Sequence, residues 1–252
     1  MLPFAKPNDW SRRSLSEKVQ YYRDHLTAEY APFVDKLEAK RLVQERMVDE
    51  LSDGRLHLPR VLRVLDGPWD VRLDDLQHDR VIKAAHGSGW NLFHHPRQTV
   101  ANAQRILHGW NRDYRAPDGG PVEPQYGFVP RRFFVEERLK RPFVNVKVRC
   151  IHGRAIPFIT VTDESSRMKN FYDFAWNLLL PAEIPRDLPR PRRLDDVLRM
   201  AEKLAQPFEF VRVDFYVDVD DQIYFSEWTF TPSNGKAILD RQTEMQLGAG
   251  WN

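Results

Sequence analysis

Two runs near the end of the chain alternate apolar and polar residues strictly enough to read as half-buried antiparallel strands. Between Phe208 and Val217, Val211, Val213, Phe215 and Val217 alternate with Arg212, Asp214 and Tyr216, so the polar trio shares one face. Between Gln222 and Phe230, the same period puts Ile223, Phe225, Glu227 and Thr229 on a common face. A turn centred between Asp220 and Asp221 sets Asp214 opposite Glu227 and Arg212 opposite Thr229. Opposed residues have Cβ atoms ~5 Å apart. Two carboxylates that close repel unless one is protonated or a cation lies between them. Magnesium held by both acids and by substrate phosphates is one resolution. The other is that Arg212 neutralises both, which leaves a solvated edge.

The rest of the chain supplies a mixed frame for this hairpin. Ser14-Leu15-Ser16-Glu17 is a capping box ahead of a helix to about Tyr30, and Asp35-Lys36-Leu37-Glu38 opens a second helix to about Leu51. Short strands are expected at Leu58 to Leu65 and Arg80 to Ala85, then a helix from about Thr99 to Arg112. Strands follow at Arg131 to Leu139, Phe143 to Ile151 and Ala155 to Thr162, and Arg186 to Arg193 reads as a linker before a helix from Leu194 to Ala205. The expected class is α+β, with a helical N-terminal segment (1–57), a small αβ subdomain (58–130) and a C-terminal subdomain (131–252). At 42% hydrophobic residues the chain is not a disordered one, and a net charge of +2 gives no global field toward nucleic acid or an anionic membrane. No apolar run approaches ~20 residues, and the first residues lack the apolar core of a signal peptide. The single cysteine, Cys150, fits a reducing cytoplasm, including the inner face of its membrane.

Val81-Ile82-Lys83-Ala84-Ala85 is an apolar strand interrupted by a lysine, and it runs into His86-Gly87-Ser88-Gly89-Trp90-Asn91. A lysine in such a strand needs an anion, either a ligand phosphate or an internal carboxylate. Glycines directly after it let backbone N–H groups close over phosphate oxygens, although a Gly-Ser-Gly turn is also an ordinary turn. The motif is neither a Walker loop nor G-x-G-x-x-G.

In this order the pieces resemble the ATP-grasp superfamily. Arg212-Val213-Asp214 with Glu227-Trp228-Thr229-Phe230-Thr231-Pro232 resembles its metal-binding hairpin, in which an R-x-D strand faces an E-x-N strand. Lys83 with the glycine loop is similar to its phosphate-covering loop, and Phe134-Val135-Glu136-Glu137-Arg138-Leu139 to its adenine hinge. More narrowly, His86 to Asn91, Asn170-Phe171-Tyr172-Asp173 with Trp176-Asn177, and Glu227 to Pro232 resemble the TupA-like ATP-grasp family, which is associated with cell-surface polysaccharide biosynthesis. Thr229 stands where the usual asparagine would be, and Asn145 where an acidic residue often meets the ribose.

The resemblance implies a fold of two α+β subdomains that grip ATP between them. It implies ATP with Mg2+, or alternatively Mn2+, as cofactors. Asp214, Glu227 and Thr229 would hold the metal; Lys83, His86, Gly87, Ser88, Gly89, Glu136, Glu137, Leu139, Asn145 and Lys147 would hold the nucleotide. Arg212 would stabilise the oxyanion, and Arg167 and Lys169 would lie over the acceptor. The implied reaction joins a carboxylate-bearing glycan or peptide to an amine or amino acid through an acyl phosphate. A phosphotransferase acting on a hydroxyl and a non-catalytic nucleotide-binding module are the alternatives.

Overall fold

The computed structural model describes residues 4–114, 123–140, 142–163, 166, 168–180 and 188–252. The chain forms two compact units, one of residues 26–42 and 58–140, the other of residues 1–25, 43–57 and 141–252.

The smaller unit is a four-stranded antiparallel sheet in the order β1-β4-β2-β3, made of β1 (Val61–Leu65), β2 (Arg80–Ala84), β3 (Asn91–Phe93) and β4 (Phe133–Glu137). Ile82, Ala84, Phe133, Val135 and Leu65 bury one face against Ala103 and Leu107 of a helix, Val100–Trp110. The Thr99 hydroxyl caps that helix by accepting from the Asn102 amide. Lys83, Phe134 and Glu136 occupy the other face. The boundary expected at 130/131 therefore falls after 140, because β4 pairs with β1 and β2 and belongs to this sheet.

The larger unit holds a five-stranded antiparallel sheet in the order β7-β6-β5-β8-β9. Its strands are β5 (Phe143–Ile151), β6 (Arg154–Asp163), β7 (Lys169–Tyr172), β8 (Phe210–Asp218) and β9 (Ile223–Thr229). Val146, Val148, Val211, Val213, Phe215 and Phe225 are wholly or almost wholly buried. A helix of this unit, Leu194–Ala205, buries Leu194, Val197, Met200 and Leu204. Burying each of those four side chains is worth roughly 1.5–3 kcal/mol.

Elements not expected from the sequence include β3, β7, a short helix (Ala31–Val34) and a C-terminal helix (Arg241–Gly248) capped by Asp240. The Ser14–Glu17 capping box forms as expected, but its helix runs only from Leu15 to Arg23. The second expected helix spans Lys36–Arg46 and breaks at the fully buried Met47. Of the expected linker, 186 and 187 lie outside the described residues.

Candidate functional site

Each unit carries its own cluster of charged groups. In the larger unit, the β5–β8–β9 register sets Lys147, Asp214 and Glu227 in one row and Arg149, Arg212 and Thr229 in the next. The expected pairings hold, but not for the expected reason. The hairpin turns through Val219, Asp220 and Asp221, with the Asp218 amide donating to Gln222 and Asp221 at φ 58°. That turn centres on Asp220, one half-step from the expected position. A bulge then leaves Ser226 unpaired between Phe225 and Glu227. The common face expected for Ile223, Phe225, Glu227 and Thr229 is thereby split. Ile223 and Phe225 lie opposite Val217 and Phe215 on the apolar face, while Glu227 and Thr229 join Asp214 and Arg212.

Asp214 is fully buried and gripped by Arg212, whose Nε donates to Oδ1 at 2.7 Å and Nη2 to Oδ2 at 2.6 Å. The same Nη2 donates to Thr229 Oγ1 at 3.0 Å and lies 3.9 Å from the Glu227 carboxylate. Lys147 Nζ stands 3.8 Å from Asp214 Oδ2. Lys169, at the start of β7, has its pKa lowered by burial and then by Lys147, Arg212 and Arg149. Four cations thus surround two carboxylates, an excess that suits a polyanion. Asn145 is buried and its Oδ1 has no partner among the described residues, so it is an open acceptor beside this row. Arg167 lies outside the described residues.

In the smaller unit, Lys83 has its anion within the protein. Its ammonium pairs with the buried Glu136, whose other oxygen takes Lys40 Nζ at 2.9 Å. Burial pushes the Glu136 carboxyl up, and the two lysines outweigh it and hold it below its ordinary value. Glu136, expected to reach adenine, is instead the inner member of this triad; Val135 faces the core, so Glu136 must face the lysines. Glu137 at the strand end is exposed and pairs with Arg60 at 3.4 Å. Its amide donates to the Arg60 carbonyl and that of Arg138 to Asp79, one residue short of the half-buried Leu139.

The glycine loop is the turn between β2 and β3. A side chain at Gly87 would meet the Trp90 ring at 2.7 Å, and Gly89 takes φ +73°, so each glycine has its own reason. Ser88 and Gly89 form the accessible tip. Among the described residues, none accepts from the amides of Gly87, Ser88 or Gly89. His86 was expected to border bound phosphate, but it points inward. It is buried between Trp90 and Phe133, its Nε2 donates to the Trp110 carbonyl at 2.9 Å, and burial lowers its pKa.

Lys40 and Arg149 were not anticipated. Lys40 lies four residues after Lys36, whose ammonium reaches the Gly87 carbonyl, so both project from one helical face. Arg149 follows Lys147 at the period of β5.

Asp214, Glu227 and Thr229 offer two opposed carboxylates and a hydroxyl. That donor set fits magnesium, which keeps waters and phosphate ligands, better than a metal that needs an all-protein cage. No group of three or more His, Cys, Asp or Glu that could hold a metal occurs among the described residues.

A family model described as TupA-like ATPgrasp matches residues 14–251. No curated protein matches this chain. Among solved structures, D-alanine–D-alanine ligase from Helicobacter pylori is similar at 11% identity and a TM-score of 0.53, over 87% of this chain and 61% of that one. The Bacillus anthracis D-alanine–D-alanine ligase complexed with ATP is similar at 14% identity and a TM-score of 0.46, over 79% and 53%. An L-amino acid ligase from Bacillus licheniformis is similar at 12% identity and a TM-score of 0.42, over 78% and 40%. The chain spans about half the length of the solved ligases it matches.

Proposed function

Because this chain belongs to the TupA-like ATP-grasp family, we propose that it is an ATP-dependent carboxylate–amine ligase. The observation that carries the reading is the row Lys147–Asp214–Glu227, flanked by Arg212 and Lys169. In the proposed reaction a carboxylate oxygen attacks the γ-phosphorus and the bond to the bridging oxygen breaks, which yields an acyl phosphate and ADP. An amine nitrogen then attacks the acyl carbon and loses a proton, the bond to the phosphate oxygen breaks, and inorganic phosphate leaves. Lys147 and Lys169 neutralise the charge spread over the transferring phosphoryl oxygens, where positioning and electrostatics do most of the catalysis. Arg212 stabilises the oxyanion of the second step. A magnesium ion, when bound, would be held by Asp214 and Glu227 with Thr229 beside them, and would supply charge neutralisation at the phosphates.

In the smaller unit, the amides of Gly87, Ser88 and Gly89 serve the phosphates, and Lys83, Lys40 and Glu136 form a charged floor for the nucleotide. The hinge from Glu137 to Leu139 serves adenine, and Asn145 accepts from a ribose hydroxyl. The proposed co-substrates are a carboxylate-bearing glycan or peptide of the cell surface and an amine or amino acid, joined in the cytoplasm. Among the described residues no helix is long and apolar enough to cross a membrane.

The test is mass spectrometry of products formed from ATP, uronic-acid acceptors and an amino-acid panel. An amide formed with stoichiometric ADP and phosphate is the expected result. A phosphorylated acceptor without free phosphate would make the protein a kinase, and no ATP turnover with any acceptor would leave it a binding module.

A further inference from the structure

Just past β9 the backbone is strained. Ser233 and Asn234 take φ of 55° and 54° and Gly235 takes 73°, so three residues in succession are left-handed. L-residues enter that region at a cost and normally singly, asparagine more readily than serine. Such strain persists only where the surroundings over-determine it, and it gathers at functional positions. Ser233 is exposed, so the packing of its own side chain does not account for it.

The restraint comes from the helix Leu15–Arg23 of the same unit. Buried Arg23 donates from Nη1 to the Asn234 carbonyl and to Asn234 Oδ1, both at 3.3 Å. Gln20 Nε2 donates to the Gly235 carbonyl at 2.8 Å. The two backbones also approach closely, since a Cβ on Gly235 would meet Gln20 Cγ at 2.5 Å and the Gln20 amide nitrogen at 3.1 Å. Inside the turn, the Asn234 amide donates to the Thr231 carbonyl at 2.8 Å and that of Lys236 to Ser233 at 3.0 Å.

The place of the turn limits what it can serve. Asn145 and Tyr216 make one row across the sheet, Lys147, Asp214 and Glu227 the next, and Arg149, Arg212 and Thr229 a third. Rows two residues apart along a strand are separated by ~7 Å. With the ribose at Asn145 and the phosphates at the middle row, the third row faces the group that receives the phosphoryl. The turn starts at Pro232, just beyond Thr229 at the end of β9, and Pro232 and Gly235 wall the same small recess as Arg149. It therefore closes the acceptor end.

We propose that Arg23 and Gln20 are positioning residues for the carboxylate acceptor, which they serve by holding Ser233–Gly235 left-handed at that end of the site. This rests on the ligase reading, which supplies the direction from nucleotide to acceptor. Neither side chain meets the reacting atoms; both act through the turn.

Steady-state kinetics of the full chain test the assignment, with an amino-acid mixture as the amine. The carboxylate is glucuronate, or whichever carboxylate of the panel forms more amide. Arg23→Met should raise the carboxylate KM roughly tenfold, as loss of a charge-assisted hydrogen bond implies, and leave the ATP KM within about twofold. Adding Ser233→Gly to that variant should return the carboxylate KM most of the way, because glycine takes positive φ without the strain that the clamp offsets. An Arg23 that acts by packing alone would show no such rescue, and that result overturns the proposal. So does a rise shared equally by the ATP KM. Should Arg23→Met fail to fold, Ser233→Val takes its place, since the side chain is exposed and a β-branched residue resists the left-handed region. An unchanged carboxylate KM in that variant counts against the turn. If the wild type forms no amide from any carboxylate, the ligase reading fails and this proposal falls with it; amide formation indifferent to all these variants sinks the proposal alone.

Discussion

Lys83 shows how a single side chain can declare its need for an anion while the sequence leaves the anion itself open. The demand for an anion is met, but by Glu136 from the neighbouring strand with Lys40 as a second cation. Lys83→Met should therefore cost stability first. Breaking a buried pair leaves an uncompensated charge and costs about 3–5 kcal/mol; with Lys40 still in place the lower end applies. Urea melts are expected to show that loss, and the double variant Lys83→Met with Glu136→Gln should lose more, since the buried Lys40 is then left without its carboxylate. A single variant as stable as the wild type would deny the triad its structural role. The same carboxylate has a pH signature. Its folded pKa is lowered, so its contribution is present above the unfolded value of about 4.3 and is lost as pH falls through the folded value. Melting temperature measured from pH 6 down to acid should thus fall more steeply for the wild type than for Glu136→Gln.

At the scale of elements, alternation alone was enough to find β8 and β9 and to name Asp214 and Glu227, whereas Lys147 entered only through the family resemblance. What it could not supply was the bulge. A period of two carries Phe225 and Glu227 to the same face, and only the unpaired Ser226 separates them. The expected turn was displaced by half a residue and the expected strand was regular; the two errors cancel at Asp214 and Glu227 but not at Phe225. β3 and β7 escaped notice because strands of three or four residues carry too little periodicity. The inward turn of His86 escaped because it depends on the distant carbonyl of Trp110. Deleting Ser226 tests the bulge directly. The strand would then pair in plain register and drive Glu227 toward the apolar face, or Phe225 out of it. Loss of stability together with magnesium-dependent ATP binding is expected. A deletion variant that binds ATP with magnesium as the wild type does would show that the face is not set by this residue.

For the whole molecule, a net charge of +2 conceals a local field, because Lys147, Arg149, Lys169 and Arg212 gather around Asp214 and Glu227 while acids are spread elsewhere. These cations are expected to attract ATP even without a divalent ion, and its affinity should weaken as salt rises. Asp214 is already neutralised by Arg212, so Glu227, 3.9 Å from that guanidinium and partly exposed, is the acid that meets bound phosphate unscreened. Magnesium should therefore strengthen ATP binding chiefly through Glu227. Calorimetry of ATP with magnesium and with EDTA, on the wild type and on Glu227→Gln, gives the four affinities needed. In the wild type, EDTA should weaken binding. In the variant the difference between the two conditions should shrink, since the amide neither repels phosphate nor holds the metal as a carboxylate does, and turnover should be lost with the melting temperature nearly unchanged. If EDTA had the same effect on both proteins, the metal would be held elsewhere, and the opposed pair on β8 and β9 would be only a charged sheet edge.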